Sequence, residues 1–327
     1  MMDTNASGTK DTSVNSQSKQ VSVDVIIPTY HPDEKFFKLL SFMSRQTVKP
    51  RHIYVMNTEQ SYFPEDVGNG MSNLTVTHIT KQEFDHGGTR NQGAALSDAD
   101  FLLFMTQDAV PMDENLIAAL LQPFEDSTVG AAYARQLADP RDNFLEYYTR
   151  MFNYPEVSQK KTIKDIERLG IKTFFCSNVC AMYRRSAYEE QGGFVEKAIF
   201  NEDMMMAASL VEAGYAIYYA ADAKVMHYHN YSAIEQMRRN FDVAVSQQMA
   251  GGLFTKVKSE KEGVRLVLKT CEYMLKNGRF YLIPKVIWQS AFKFLGYKLG
   301  QNYQKLSKKQ IQKISLNPSF WDKEFIS

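Results

Sequence analysis

The chain of 327 residues has few cysteines and no long uninterrupted apolar run. Cys176, Cys180 and Cys271 are too few, and odd in number, for a disulfide framework, which favours a reducing compartment. No apolar run reaches about 18 residues, so the sequence predicts no membrane-spanning helix. The first residues also lack the apolar segment that a signal peptide needs. We therefore expect a cytoplasmic protein.

A strong excess of charge is also absent, since 38 Lys and Arg stand against 37 Asp and Glu, a net charge of +1. This balance gives no global attraction to nucleic acid, so no nucleic acid partner is expected. The charge is unevenly distributed, however, because residues 254–327 hold 15 Lys or Arg and five Asp or Glu. This basic segment predicts contact with an anionic surface such as phospholipid head groups, and the alternative is a solvated basic tail.

Large apolar residues are nearly missing from residues 1–20, so we expect this segment to be disordered. From residue 21 onward, β-branched runs alternate with segments of helical spacing. This alternation predicts an α/β fold with a mostly parallel sheet and helices on both faces. In such sheets ligands bind beyond the carboxyl ends of the strands. Strands are expected at 21–28, 52–56, 74–79, 101–105, 179–183 and 215–219, and a helix at about 203–213.

The chain divides into three predicted parts: residues 1–20, a catalytic domain at 21–253, and a basic amphipathic helical region at 254–327. The helical region has one apolar face and one polar face. We predict that it docks on a membrane, and the alternatives are a helical lid on the catalytic domain or an oligomer interface. The apolar face holds Trp288, Ala291, Phe292, Leu295 and Leu299, and the polar face holds Lys285, Gln289 and Lys293.

Polar residues stand at the ends of the first two predicted strands. Pro28, Thr29 and Tyr30 end the first strand, and Asn57 follows the second. These residues are placed to contact a nucleotide base and ribose. The alternative is ordinary loop chemistry, which the same residue types also serve.

A glycine-containing junction follows the third predicted strand. Asp85 and His86 precede two glycines, and Arg90 and Asn91 follow them at the start of a helix. Free helix N–H groups and a guanidinium fork are well suited to bind phosphate oxygens. We interpret the junction as part of an anion-binding site, and the alternative is a glycine turn with a surface arginine.

Gln107 and Asp108 follow the fourth predicted strand, which is wholly apolar. A carboxylate at a buried strand end is suited to hold a divalent ion that neutralises a departing diphosphate. The alternative is a turn-forming aspartate. His227 and His229 alternate in the chain, so at most one of them is expected to face a given side. One imidazole beside carboxylates would suit manganese or magnesium.

Glu202 and Asp203 open the predicted helix at 203–213. The functional interpretation is a general base that takes a proton from an attacking hydroxyl. Helix capping explains the same two residues, and spacing does not separate these interpretations.

The segments VDVIIPTYHP, FDHGGTRNQG, FMTQDAVP, FNEDM and VMHYHN, in this order, resemble family 2 glycosyltransferases of the GT-A fold. Within that family they are similar to bacterial rhamnosyltransferases, and GYKLGQNYQKL resembles the ends of streptococcal rhamnose-polysaccharide transferases. The resemblance implies inverting transfer from dTDP-β-L-rhamnose to a hydroxyl of a lipid-linked glycan. It also implies an enzyme peripheral on the inner face of the cell membrane.

The resemblance also implies roles for individual residues. Asp203 matches the catalytic base of the family, with Glu202 beside it, and Asp108 matches the last carboxylate of the DxD metal motif. Thr106 stands where the first Asp of that motif usually is. His227 matches the late metal-binding histidine, with His229 in reserve, for Mn²⁺ or Mg²⁺. On the donor side, the matched residues are Arg90, Asn91, Pro28, Thr29 and Tyr30.

Two other functions remain open. A sugar nucleotidyltransferase would share the parallel sheet, but its glycine- and lysine-rich loop would stand where Pro28, Thr29 and Tyr30 stand. A non-catalytic scaffold subunit of a polysaccharide complex would explain the altered Thr106.

Overall fold

The computed structural model describes residues 21–68, 70–252 and 260–324, so the expectation of disorder at 1–20 lies outside the described residues. The strands are β1 Val23–Tyr30, β2 His52–Thr58, β3 Leu74–Ile79, β4 Phe101–Met105, β5 Val110–Pro111, β6 Val129–Leu137, β7 Gln159–Lys161, β8 Cys180–Arg184 and β9 Ala216–Met226. The helices are α1 Glu34–Arg45, α2 His86–Ala95, α3 Leu116–Leu121, α4 Phe144–Asn153, α5 Ile166–Leu169, α6 Arg185–Glu190, α7 Glu202–Glu212, α8 Ala233–Ala250, α9 Glu260–Lys276, α10 Ile283–Gln301, α11 Lys308–Ile314 and α12 Phe320–Glu324.

The strands form one sheet in the order β3-β2-β1-β4-β8-β6-β9-β5, with β7 paired to β9. The pairs among β1 to β4 are parallel, whereas β8 runs antiparallel to both β4 and β6. Because Met105 at the end of β4 pairs with Cys180 at the start of β8, the residues before β8 reach the edge where β1 and β4 end. The expected mostly parallel α/β sheet is confirmed, and β8 brings residues 177–179 to its ligand-binding edge.

Helix α2 packs closely on β1 because it carries glycine where the two elements meet. A Cβ on Gly93 would lie 2.5 Å from Cγ2 of Ile26, and one on Gly87 would lie 2.1 Å from the carbonyl oxygen of Val195. Asp85 caps the helix and accepts a hydrogen bond from the Gly88 N–H at 2.7 Å. The later part of α2 therefore packs on β1, and its first turn lies against the loop before α7.

Helix α10 crosses α8 at close range through two glycines. A Cβ on Gly296 would lie 2.0 Å from the Met237 carbonyl oxygen, and one on Gly300 would lie 2.4 Å from that of Phe241. The helical pattern expected after residue 254 is confirmed in the described part of that region, since α9, α10 and α11 lie there. Helices on the two sides of the predicted domain boundary at residue 253 thus pack against each other.

The apolar face predicted for α10 is divided, because Trp288 and Leu295 point away from the protein whereas Leu299 packs against the cluster around Phe241 of α8. Trp288 is 60% exposed and Leu295 is 48% exposed, and Phe294 beside them is 59% exposed. Lys293, from the predicted polar face, is turned inward, where burial lowers the pKa of its ammonium. Across the described ranges, no helix is both long and apolar enough to cross a membrane.

Candidate active site

The first turn of α7 holds two carboxylates with different partners. Glu202 is buried, and its Oε1 lies 3.2 Å from Nη1 of Arg90 and accepts a hydrogen bond from Nδ2 of Asn178 at 3.3 Å. Arg90 Nη1 also donates to the carbonyl oxygen of His86 at 2.7 Å, which fixes the guanidinium. Burial raises the pKa of Glu202, but the charges of Arg90 and His86 together with hydrogen bonds from the backbone and Asn178 outweigh it, so the pKa is lowered. Glu202 is therefore held ionised.

Asp203 is half-buried, and its carboxyl group has a raised proton affinity. Its oxygens accept hydrogen bonds from the backbone N–H of Asn178 at 3.1 Å and of Met204 at 2.7 Å. Burial of the carboxyl, together with the charge of Glu202, raises the pKa of Asp203 to about 7. Neighbouring carboxyls with separated pKa values are typical of acid-base sites, so capping alone does not account for this pair.

Asp108, His227 and His229 form a second group, whose ligand atoms all lie within 4.8 Å of one another. Oδ2 of Asp108 is 3.5 Å from Nε2 of His227 and 3.6 Å from Nε2 of His229. The expectation that at most one of these histidines faces a given side is wrong. Side chains two residues apart in extended backbone point to the same side, so the spacing of His227 and His229 itself places both rings together.

The protonation of His227 is set by Gln136 on β6. Nδ1 of His227 lies 3.1 Å from Oε1 of Gln136, which accepts hydrogen bonds, so Nδ1 carries the proton and Nε2 presents a lone pair. Burial lowers the pKa of both histidines, which keeps the rings neutral. The Nε2 lone pair of His227 and the Asp108 carboxylate thus face each other as two acceptors, an arrangement that a divalent cation between them would stabilise.

This donor set fits a transition-metal ion such as Mn²⁺, which accepts both imidazole nitrogen and carboxylate oxygen. A partner that orients the second nitrogen of a ligating histidine, as Gln136 does here, is a regular feature of metal sites. Thr106 stands in place of the first carboxylate of the expected DxD motif, and His229 supplies the third ligand atom of the group. The structure therefore brings together three residues that the sequence named as candidates.

A three-residue segment before β8 joins the two groups. The backbone and side chain of Asn178 bind both carboxylates, while Ser177 accepts a hydrogen bond from Nε2 of Gln136 at 3.0 Å. The carbonyl oxygen of Val179 accepts a hydrogen bond from the N–H of Thr106 at 3.1 Å, two residues before Asp108. The carboxylate pair and the Asp-His group therefore lie along the same edge of the sheet.

The donor-side residues fall into two classes. Tyr30, Asp85 and His86 line a cavity of about 770 Å³, and His86 also binds, through its carbonyl oxygen, the Arg90 that pairs with Glu202. The same cavity is closed on its far side by residues of the C-terminal segment, Leu316, Asn317, Ser319 and Phe320. The three predicted residues are thus placed where a ligand has room to bind.

The other donor-side candidates make contacts within the protein. Oγ1 of Thr29 donates to Oδ1 of Asn57 at 3.0 Å, and the Gln107 amide bonds both the N–H and the carbonyl of Tyr30. Pro28 lies within β1 beside them. These contacts connect the ends of the neighbouring strands. A role of these residues in donor binding stays a prediction.

Arg90 and Asn91 are likewise engaged inside the fold. Arg90 is buried against Glu202, and both polar atoms of Asn91 bind the backbone of Phe194, with Oδ1 also accepting from the Tyr188 hydroxyl at 2.5 Å. Their side chains therefore position the carboxylate pair and the loop before α7. A direct contact of either residue with phosphate stays a prediction.

Arg239 on α8 is a residue that the sequence reasoning missed. It lines the 770 Å³ cavity, and its guanidinium lies 4.5 Å from the ring centre of Phe200 and 5.7 Å from that of Tyr231. Its charge also contributes to the lowered pKa of His229. A signal was present in the sequence, because an arginine pair follows the VMHYHN segment two helical turns into the next predicted helix.

Comparison with known proteins fits this geometry. Residues 20–251 match the family model described as glycosyltransferase like family 2. The chain is 37% identical over 310 residues to the O-antigen chain rhamnosyltransferase RfbN of Salmonella typhimurium, which covers 92% of this chain and 96% of the relative. It is 36% identical, with the same coverage, to the O-antigen chain rhamnosyltransferase WbaN of Salmonella anatum.

Solved structures show the same architecture. The mannosyltransferase PcManGT from Pyrobaculum calidifontis, in complex with GDP-Man and Mn²⁺, has a TM-score of 0.58 at 15% identity, covering 85% of this chain and 86% of that one. Residues 1–349 of Staphylococcus aureus TarS have a TM-score of 0.50 at 15% identity, covering 87% of this chain and 91% of that one. The expected GT-A fold is confirmed. With the family-model match over residues 20–251 and the identity to the two Salmonella enzymes, the chain belongs to glycosyltransferase family 2.

Proposed function

We propose that this enzyme transfers L-rhamnose from dTDP-β-L-rhamnose to a hydroxyl of a lipid-linked glycan, during surface polysaccharide synthesis at the cytoplasmic face of the membrane. The observation that carries the proposal is the convergence of the Glu202–Asp203 pair and the Asp108 group at one sheet edge. Rhamnose as the sugar is supported by two relatives named O-antigen chain rhamnosyltransferases.

The reaction is a single in-line displacement with inversion at C1 of the sugar. The acceptor oxygen forms a bond to C1, the bond from C1 to the diphosphate oxygen breaks, and dTDP leaves with the electron pair. Asp203 takes the proton of the acceptor hydroxyl, since its pKa of about 7 suits a general base near neutral pH. Inversion of a β-linked donor gives an α-linked rhamnoside.

Glu202 and Arg90 have positioning roles in this mechanism. Arg90 keeps Glu202 ionised, and the charge of Glu202 in turn raises the proton affinity of Asp203. Asn178 binds both carboxyl groups and so fixes their relative orientation. The base therefore depends on a network that need not touch the substrate.

Asp108, His227 and His229 would hold Mn²⁺ or Mg²⁺, and a bound ion neutralises charge on a departing diphosphate. From the chain itself, Arg239 lines the neighbouring cavity and offers a fixed positive charge to the same phosphate groups. Tyr30, Asp85 and His86 line that cavity and are proposed to bind the rest of the donor.

Membrane association is supported by the exposed face of α10. Ile287, Trp288, Phe294 and Leu295 are all about half exposed or more, on a segment rich in lysine. Aromatic and aliphatic side chains beside basic residues are typical of helices that lie at a lipid interface.

Flotation of the full chain with phosphatidylglycerol vesicles tests this association. We expect Trp288→Ser with Phe294→Ser to reduce flotation strongly. The control pair, Val157→Ser with Ile163→Ser, removes exposed apolar groups from another surface and should leave flotation unchanged. Equal flotation of the α10 variant and the parent would contradict anchoring and favour a lid or an interface between copies.

The transfer itself is tested with a panel of nucleotide sugars and a synthetic lipid-linked acceptor, followed by mass measurement of the product. We expect addition of one deoxyhexose from dTDP-rhamnose, lost in the presence of EDTA and in Asp203→Asn. Preferential use of another nucleotide sugar would contradict the proposed donor. Absence of both product and released dTDP with every donor would favour the scaffold alternative.

A further inference from the structure

A second cleft, of about 640 Å³, lies outside the donor cavity and has no assigned ligand. It is bounded by the starts of α4 and α8 on one side and by the connection from α9 to α10 on the other. Tyr231 lines both this cleft and the donor cavity, and its ring centre is 5.0 Å from that of His229. A ligand in this cleft would therefore end close to the reacting sugar.

The cleft is lined by three cations, Arg141, Arg279 and Lys285. Arg141 pairs with Asp139 at 2.6 Å, but within the described part of the chain no carboxylate pairs with Arg279 or Lys285. The guanidinium of Arg279 lies 4.0 Å from the ring centre of Phe144, which holds it over the cleft. Two positive groups thus remain available to an anion.

The two carboxylates of the cleft are already engaged in contacts within the protein. Asp142 accepts a hydrogen bond from the hydroxyl of Tyr228, and Glu235 accepts one from the N–H of Ser232 at 2.8 Å. Among the described residues, neither carboxylate forms an ion pair with Arg279 or Lys285.

The rim of the cleft is apolar on the side of α10. Tyr281 is 62% exposed, and Trp288 belongs to the exposed face described above. An anionic group bound by Arg279 and Lys285 would therefore lie directly beneath side chains suited to contact a hydrocarbon chain. This combination fits an amphiphile that carries phosphate next to a lipid.

We propose, on the basis of the proposed transferase function, that this cleft binds the lipid-borne diphosphate of the acceptor. Arg279 and Lys285 contact the diphosphate, Trp288 and Tyr281 contact the first part of the lipid, and the glycan extends past Tyr231 toward Asp203. Recognition of the acceptor thus depends on the diphosphate as well as on its sugars.

The test measures binding of farnesyl diphosphate to the full chain in detergent micelles by calorimetry. Arg279→Gln with Lys285→Gln should weaken binding about tenfold or more, because each charged hydrogen bond contributes substantially to affinity. Lys309→Gln with Lys313→Gln removes the same charge from exposed positions on α11 and should leave affinity unchanged. Lys285→Gln alone, at an exposed residue, avoids any loss of the Arg279 stacking and should still weaken binding measurably.

Two further measurements separate sources of the anion and separate this proposal from the transferase proposal. Binding to phosphatidylglycerol vesicles should fall no further with Arg279→Gln and Lys285→Gln than with Lys309→Gln and Lys313→Gln, since each pair removes two charges from the basic segment. A larger loss there, equal to the loss of farnesyl diphosphate affinity, would overturn the diphosphate assignment. Equal farnesyl diphosphate affinity in parent and variant would also overturn it. These binding results do not depend on which sugar is transferred, so a failed rhamnose assay would leave them standing.

In turnover, the same double variant should raise KM for a diphosphate-linked acceptor while kcat and the KM for donor stay unchanged. KM for the same saccharide on an uncharged aglycone should not change. An equal rise in KM for both acceptors would show that the cleft binds the saccharide and not the diphosphate, which would overturn the proposal.

Discussion

The two halves of the active site use similar residue types but differ in how their charges are partnered. Glu202 and Asp203 find all their partners within the protein, in Arg90, Asn178 and the backbone. Asp108 and His227 instead turn acceptor atoms toward each other, and Nε2 of His229 lies 3.6 Å from the same carboxylate. In the first half the charges are balanced by groups of the protein itself, and these groups set the proton affinity of Asp203. The second half instead has the ligand atoms to bind a cation. Substitutions in the two halves should therefore have different kinetic signatures.

The largest effect is expected for Asp203→Asn in the self-contained half. Loss of the general base should lower kcat by about 10²- to 10⁴-fold, while affinity for the donor stays close to that of the parent. Initial rates at saturating donor measure the change, with the exposed Asp222→Asn as the matched control. A variant that turns over at the parental rate would remove Asp203 from the mechanism.

In the cation-dependent half, Asp108→Ala should act on donor affinity. We expect a loss of about tenfold or more in the presence of Mn²⁺, since even residues behind a metal ligand change metal affinity by 10- to 100-fold. Titration of dTDP with and without Mn²⁺ measures the effect, and parent and variant should converge in EDTA. Asp66→Ala, at an exposed acid, serves as control. Parental affinity with Mn²⁺ would refute the metal role.

Gln136→Met probes the link between the halves, because Gln136 binds both His227 and Ser177. Without the acceptor, His227 is free to carry its proton on Nε2, so the affinity for Mn²⁺ should fall about tenfold. Activity should recover at high Mn²⁺ concentration. Thermal unfolding of the variant, compared with the parent, controls for damage to the core. Unchanged Mn²⁺ dependence would mean that the tautomer is fixed in another way.

The smallest effect, on pH dependence, is expected for Glu202→Gln. Asp203 must be deprotonated to accept a proton, so parental activity should rise with pH and level off above about 7. Removing the neighbouring negative charge lowers the pKa of Asp203 and should shift the rising limb to lower pH by about one unit. Glu212→Gln, on the same helix, should leave the profile unchanged. A parental midpoint in Glu202→Gln would contradict the coupling.

Much of the fold was accessible from sequence because its signals are local. The apolar run at 101–105 forms the fully buried β4, and the helix expected at about 203–213 is α7, after which Gly214 has a φ of 93°. Cys176 and Cys180 are buried free thiols. The direction of β8 was not accessible, since strand polarity depends on pairing between distant segments.

The site was only partly accessible for the same reason. Asp108, His227 and His229 were named, but the approach of Asp108 to the two histidines depends on the pairing of Val110 in β5 with Met226 in β9, which is a contact between distant segments. Arg90 looked like a free phosphate ligand because its partner Glu202 lies over a hundred residues away in the chain. The aromatic face of α10 was visible, but only the packing of Gly296 on α8 decides that this face points outward.

The backbone N–H groups of Leu316 and Asn317 donate hydrogen bonds to the Asp242 carboxylate of α8. These hydrogen bonds hold residues 316–320 against the donor cavity. Shortening the protein to improve its solubility would thus strip away one wall of the nucleotide-sugar pocket along with the basic helices. Lost activity in such a truncation would not distinguish a damaged pocket from a protein that has left the lipid surface, and single substitutions on α10 avoid that confusion.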